Sequence, residues 1–151
     1  MNELPIFLHF IFSFISTIGF SIYLNTPTKQ LFHCGLTGAI GWVIYHSFKT
    51  TVLSSIFSNF VASLVVAILS ELFARKLKKP AILFIIPGIM PLVPGLGMYN
   101  TMLHLIQGDY SLATSSGTDT ILTSGAIALG LLVTTSTLKT INTLNKNNIK
   151  K

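Results

Sequence analysis

The stretch that decides the fold is residues 80–101, which read PAILFIIPGIMPLVPGLGMYNT. Its flanks are apolar enough for a membrane span. Pro87, Pro91 and Pro94, however, lack the backbone N–H that a helix uses, and each clashes with the carbonyl oxygen four residues earlier. Three glycines within the same eleven residues loosen the backbone further. This density of prolines and glycines predicts that the span is broken.

The apolar run that contains this stretch is too long for one straight helix. As a single α-helix, residues 81–107 would extend about 40 Å at 1.5 Å per residue, whereas the hydrocarbon core of a bilayer is about 30 Å thick. We therefore expect a short helix over 81–86, an unwound proline–glycine link, and a second helix from about residue 96 to residue 107.

Four further apolar runs surround this segment, at 4–24, 31–48, 52–74 and 121–138. Half of the 151 residues are hydrophobic and 9% are charged, against about 25% charged in a soluble globular protein. The sequence therefore predicts an all-α integral membrane protein with about five transmembrane helices over 1–138, followed by a basic cytoplasmic tail over 139–151. The second run, which holds three glycines, is the weakest candidate span.

The basic residues indicate how the chain crosses the membrane. If the N-terminus is outside, nine of the ten Lys and Arg residues lie on the inner side, and Lys49 alone lies outside. Cytoplasmic loops carry the excess of Lys and Arg, so this pattern predicts an N-out and C-in chain. The outer segment 108–120 is expected to be a flexible loop in which Asp119 or Thr120 caps the fifth helix.

The broken span is also the strongest candidate for a binding site. Unwound backbone inside a membrane is tolerated only where it is buried in protein or lines a wet cavity. Secondary transporters use such breaks to bind substrates, because the positive N-terminus of the second half-helix attracts an anionic group. A small carboxylate-bearing substrate is therefore expected here, with a proline kink that binds nothing as the alternative. The candidate substrate-pathway residues are Pro87, Gly88, Pro91, Pro94, Gly95, Tyr99, Asn100 and Thr101.

Three polar side chains in other parts of the predicted spans are candidates for ion coupling or for the pathway, because intramembrane polar groups often serve function. They are Asn59, Glu71 and His104. Each also has a structural explanation. Asn59 could make a packing hydrogen bond, Glu71 could pair with Arg75 four residues later, and His104 could anchor the helix end at the interface.

Sequence motifs give no support for enzymatic chemistry. The chain contains no HExxH, GxSxG or GxxxxGK[ST] pattern and no Cys/His cluster with zinc-ligand spacing, so we expect no catalytic residues, metal or cofactor. The basic residues lie in short clusters between apolar runs, which indicates topology rather than nucleic-acid binding. Small residues in the spans favour close helix packing within the chain or against another copy.

The sequence PGIMPLVPGLGMYNTM at residues 87–102 resembles the threonine/serine exporter family, and in particular its short, YjjB-type subunit. The segments 19–27 and 34–42 look like that family as well, and the resemblance covers about residues 15–105. It implies a multi-pass protein of the bacterial cytoplasmic membrane that exports small amino acids together with a longer membrane subunit. The proline, glycine, tyrosine and asparagine positions named above then correspond to family motif residues.

Two other functions remain open at this point. A half-helix N-terminus suits any carboxylate, so the substrate could be a small dicarboxylate such as succinate. The chain could also be a membrane scaffold that assembles with a partner and transports nothing. In the absence of a nucleotide-binding motif, transport would be driven by an ion gradient or by the substrate gradient.

Overall fold

The computed structural model describes residues 5–52 and 54–148, and this part of the chain is helical and contains no β-strand. Short 3-10 turns precede the second helix, at Thr28–Gln30, and follow the fourth, at Met90–Leu92. The six α-helices are α1 (Ile6–Tyr23), α2 (Leu31–Val52), α3 (Ser55–Leu77), α4 (Ile82–Ile89), α5 (Gly95–Gln107) and α6 (Tyr110–Asn148).

Small and hydroxylated residues bring the helices into contact. α1 buries the hydroxyl side chains of Ser13, Thr17 and Ser21, and α1 packs on α2. A Cβ atom at Gly38 of α2 would collide with Thr17, so the two backbones approach where a side chain is missing. α2 also packs on α3 and α4, while α6 packs on α3 and α5. This agrees with helix association in lipid, where small residues permit close contact.

The number of spans is only partly established. Within the described residues, three segments are long and apolar enough to cross a membrane, and the pair α4–α5 makes a fourth if it forms one bent span. The three segments are α1, α3 and Tyr110–Leu138 of α6. α2 is not among them. Five spans and the N-out orientation therefore remain predictions.

The predicted break is present but shorter than expected. α4 does not end at residue 86: it continues through Pro87 and Gly88 to Ile89, and a 3-10 turn carries the chain to Leu92. Only residues 93–94 separate this turn from α5, and the two halves meet at an angle of 52°. The expectation of a long unwound link was wrong, because each carbonyl oxygen that a proline leaves free finds another donor.

Pro87 leaves the carbonyl oxygen of Leu83 without its usual donor four residues later. The thiol of Cys34 on α2 donates to this oxygen, with Sγ 3.5 Å away. Cys34 is completely buried, in a cluster with Ala74 and Phe84. A side chain of α2 thus replaces the missing backbone donor and lets α4 continue past its proline.

Pro91 and Pro94 are accommodated by tighter backbone turns. Pro91 has no N–H to donate to the carbonyl oxygen of Pro87, four residues earlier. That oxygen accepts the N–H of Met90 instead. The carbonyl oxygen of Met90, freed by Pro94, accepts the N–H of Val93 at 3.4 Å. Hydrogen bonds of the 3-10 type therefore satisfy both oxygens, and the chain unwinds only after these turns are complete.

Most of the segment 108–120 is helical, because α6 begins at Tyr110, and the flexible loop predicted from its composition is not observed. Gly108, in the left-handed conformation with φ 81°, ends α5, and α6 begins at Tyr110. Hydroxyl groups in this segment bond to carbonyl oxygens four residues earlier, for example Thr120 to Ser116 at 2.7 Å. Asp119 and Thr120 consequently lie within α6 and do not cap it. The backbone stays helical through residue 148, while the tail over 139–151 remains a prediction.

Candidate functional site

A cavity of about 680 Å³ opens beside the broken span. Its walls are the last turns of α2, the first turns of α3, the break with the first turn of α5, and one face of α6. The side chains that give it chemical character are Trp42, Lys49, Asn59, Asn100, Asp119 and Thr120.

The N-terminus of α5 lies in the wall of this cavity. Pro94 stands at the cap position, and no side chain among the described residues caps the helix. The N–H of Met98 donates to the Pro94 carbonyl oxygen at 3.1 Å, so the amides of Leu96 and Gly97 precede the first turn's hydrogen bond. Both of these residues line the cavity. The positive end of the α5 dipole thus faces a space that can hold an anion.

Asn59 brings a second polar group to the same space. It is only 3% exposed, and its Nδ2 donates to the Ser55 carbonyl oxygen at 2.9 Å. Its Oδ1 is buried and accepts no hydrogen bond from the described residues. A buried acceptor without a donor costs about 1–3 kcal/mol, so Asn59 is suited to a donor group that enters the cavity.

Two opposite charges stand at the cavity wall. Lys49, at the end of α2, holds its Nζ 5.5 Å from the centre of the Tyr45 ring. Asp119 lies on α6, and both charged residues are exposed. Among the described lining residues, Lys49 is the one base and Asp119 the one acid, and no ion pair joins them. In the described part of the chain, the cavity therefore presents a cation and an anion that are not paired with each other.

One face of α6 forms the polar wall. Ser116, Asp119, Thr120 and Thr123 are spaced three and four residues apart, which aligns them along a helix. A Cβ atom at Gly97 would collide with the Thr120 hydroxyl, so α5 begins in contact with this face. Sequence reasoning missed this wall because it interpreted the stretch as a loop. The helical period of its polar residues was the signal that could have revealed it.

Five of the predicted residues line the cavity: Pro91, Pro94, Gly95, Asn100 and Asn59. Pro87 and Gly88 lie elsewhere, in the buried contact of α4 with its neighbours. A Cβ atom at Gly88 would approach Thr37 Cγ2 to 2.9 Å. These two positions therefore serve helix packing in the structure.

Tyr99 and Thr101 do not line the cavity. Tyr99 is 62% exposed. The Thr101 hydroxyl donates to the Gly97 carbonyl oxygen at 2.8 Å and lies 3.3 Å from the Ser116 hydroxyl. Thr101 thus fastens α5 to α6, and the Tyr99 ring is free to meet lipid or another chain.

The predicted coupling residues Glu71 and His104 also lie away from the cavity. Glu71 pairs with Arg75 at 3.2 Å, one helical turn later, which matches the structural explanation for this acid. His104 lies in the last turn of α5, and its buried Nδ1 has no hydrogen-bond partner in the described part of the chain.

A different pair of histidines is connected to the cavity. The rings of His9 on α1 and His46 on α2 stack with centres 4.1 Å apart. Trp42, which lines the cavity, donates its indole N–H to Nδ1 of His9 at 3.3 Å. The two imidazoles lack a third ligand, since no group of three or more His, Cys, Asp or Glu residues suited to a metal occurs among the described residues.

Comparisons with known proteins connect this geometry to a family. A family model for the threonine/serine exporter ThrE matches residues 9–137, which include the break and the whole cavity. A curated protein of Haemophilus influenzae, named only as an uncharacterized protein, is 30% identical over 98 residues. That match covers 64% of this chain and 33% of the relative, so the chain spans about a third of the relative's length. No solved structure matches the chain.

Proposed function

We propose, because the chain belongs to the threonine/serine exporter family, that it is one membrane subunit of a two-component secondary exporter of small amino acids such as threonine and serine. The observation that carries this proposal is the cavity at the broken span, which the first turn of α5 and the buried Asn59 both line. The family is a transporter family, so export is the expected activity and enzymatic turnover is not.

The recognition we propose begins with the substrate carboxylate. A helix N-terminus stabilises an anion by about 0.3–1 kcal/mol, which alone is too weak for selective binding. Direct hydrogen bonds to a charged group add about 1.5–3 kcal/mol each, and the amides of Leu96 and Gly97 can supply them. Asn100, which is half-buried in the same wall, offers a further donor or acceptor.

A partner subunit is part of the proposal for two reasons. The cavity of about 680 Å³ is far larger than a four-carbon amino acid requires, so this chain leaves room for groups from another chain. The second reason is that residues 87–102 resemble the short subunit of the exporter family, which implies a longer membrane subunit beside it. We propose a longer membrane subunit of the same family as that partner, in a bacterial cytoplasmic membrane.

Lys49 favours a second candidate substrate. A small dicarboxylate such as succinate could place one carboxylate at the α5 N-terminus and the other near the Lys49 ammonium group. Asp119 in the same cavity opposes this choice, because it would repel a second negative charge. We therefore rank amino acids first.

Efflux from preloaded bacteria tests the proposal. Cells loaded with labelled threonine, serine or succinate would express this chain, a longer family subunit, or both. We expect rapid amino-acid efflux only when both proteins are present. Efflux of succinate alone would favour the dicarboxylate. An absence of efflux, with both proteins verified in the membrane, would instead support a scaffold.

Paired substitutions in adjacent residues of α5 test the location of the site. Asn100 lines the cavity, whereas Tyr99 lies outside it. We expect Asn100→Ala to lower threonine efflux about tenfold, the effect of one lost hydrogen bond to a charged group, and Tyr99→Ala to lower it less. Equal membrane abundance of the two variants is the control. A larger loss in Tyr99→Ala would argue against this cavity as the pathway.

A further inference from the structure

We infer that Asp119 determines substrate specificity by binding a positively charged amino group, so that the cavity selects zwitterions over plain carboxylates. The inference rests on the proposed function and assigns a role that the sequence motif does not contain. It begins with a difference between the acids. Glu71 is paired with Arg75, whereas Asp119 has no ion pair in the described structure and lines the cavity.

The position of Asp119 along α6 supports a role in the substrate pathway. It lies within Tyr110–Leu138, the part of α6 that is apolar enough to span a membrane. Asp119 is exposed and lies in the N-terminal part of that segment, and acids within candidate spans commonly mark the pathway of a substrate or ion. The cavity gives the Asp119 carboxylate a space in which it can meet a cationic group.

The contact between α5 and α6 places Asp119 and the α5 N-terminus in the wall of the same cavity. The Ser116 hydroxyl donates to the Gly97 carbonyl oxygen at 3.5 Å. The Thr120 side chain occupies the position that a Cβ atom on Gly97 would take. The first turn of α5 is therefore held against the α6 turn that contains Asp119. An α-amino acid carries its ammonium and carboxylate groups on one carbon, so it requires an anion and an anion-binding site at adjacent positions.

In this proposal, the α5 N-terminus and Asp119 each bind one of the two charged groups of the amino acid. The carboxylate binds the amides at the start of α5. The ammonium group binds Asp119 through a charge-assisted hydrogen bond. Asp119 repels the second carboxylate of a dicarboxylate, so the site also disfavours this wrong substrate.

Transport of a matched pair of solutes by Asp119→Asn tests this role. Proteoliposomes containing both subunits would be loaded with labelled threonine or with 3-hydroxybutyrate, which is threonine without its amino group. We expect Asp119→Asn to lower threonine efflux about tenfold at subsaturating concentration and to leave 3-hydroxybutyrate efflux unchanged or raised. The control is Asp109→Asn, since Asp109 is exposed at the start of α6 and does not line the cavity.

The outcomes separate this inference from the proposed function. If wild-type protein exports threonine and Asp119→Asn does so equally well, or loses both solutes equally, the inference is wrong while the proposed function stands. If wild-type protein exports no amino acid, both are wrong.

Discussion

At the scale of single residues, the broken span shows how a membrane protein tolerates prolines. A backbone oxygen without a donor costs several kcal/mol in hydrocarbon, so it must be paired or placed beside a wet cavity. The oxygen freed by Pro87 is paired with the Cys34 thiol, from a residue 49 positions away from Leu83 in the chain. The cysteine therefore serves as a hydrogen-bond donor and a packed side chain together.

Substitution of Cys34 tests this pairing. We expect Cys34→Ala to reduce the free energy of unfolding by about 1–3 kcal/mol, because the Leu83 oxygen loses its donor and a small void forms. Cys34→Ser should retain most of the stability, since its hydroxyl can donate to the same oxygen. Thermal unfolding in detergent, followed by circular dichroism, measures the difference. If Ser and Ala were equally destabilising, the hydrogen bond would not be the reason that Cys34 is needed.

At the scale of helices, contacts between helices explain why the bend was predicted correctly and why its length and the start of α6 were not. The prolines and glycines correctly indicated a bend, since residue type alone disfavours a straight helix. They overstated its length because the compensating donor, Cys34, lies on another helix. The helical start of α6 was missed because its serines and threonines are typical of loops. In the structure their hydroxyls bond within the helix and its surface packs on α5.

Two glycines on α6 provide a matched test of this packing. A Cβ atom at Gly130 would lie 2.9 Å from the Phe60 carbonyl oxygen of α3, a backbone atom that cannot rotate away. The same change at Gly125 meets no atom of the described residues within 4 Å. We expect Gly130→Leu to destabilise the chain by about 1–3 kcal/mol through overpacking. Gly125→Leu should change its stability by less than about 0.5 kcal/mol. Comparable melting temperatures for the two variants would contradict the observed α3–α6 contact.

At the scale of the whole molecule, the cavity depends on residues that no local pattern joins. Lys49 and Asp119 are 70 positions apart in the sequence. Both line the cavity because α2 and α6 flank the break. Sequence reasoning identified Asn59 and Asn100 as polar exceptions in apolar segments. It interpreted Lys49 and Asp119 as loop residues because it could not determine how the helices are arranged around the break.

The orientation of the molecule can be tested by labelling single cysteines with a membrane-impermeant thiol reagent. The native Cys34 is 0% exposed, so it should react little, and Cys34→Ser provides a background without it. The distribution of basic residues predicts that Lys49→Cys is labelled from outside intact cells, and that Lys76→Cys is labelled only in inverted vesicles. Asn100→Cys should follow Lys49→Cys, because both positions line one cavity. Labelling of Lys76→Cys from outside would reverse the orientation. An Asn100→Cys that is protected from both sides, beside a reactive Lys49→Cys, would mean that the cavity is closed to water at the break.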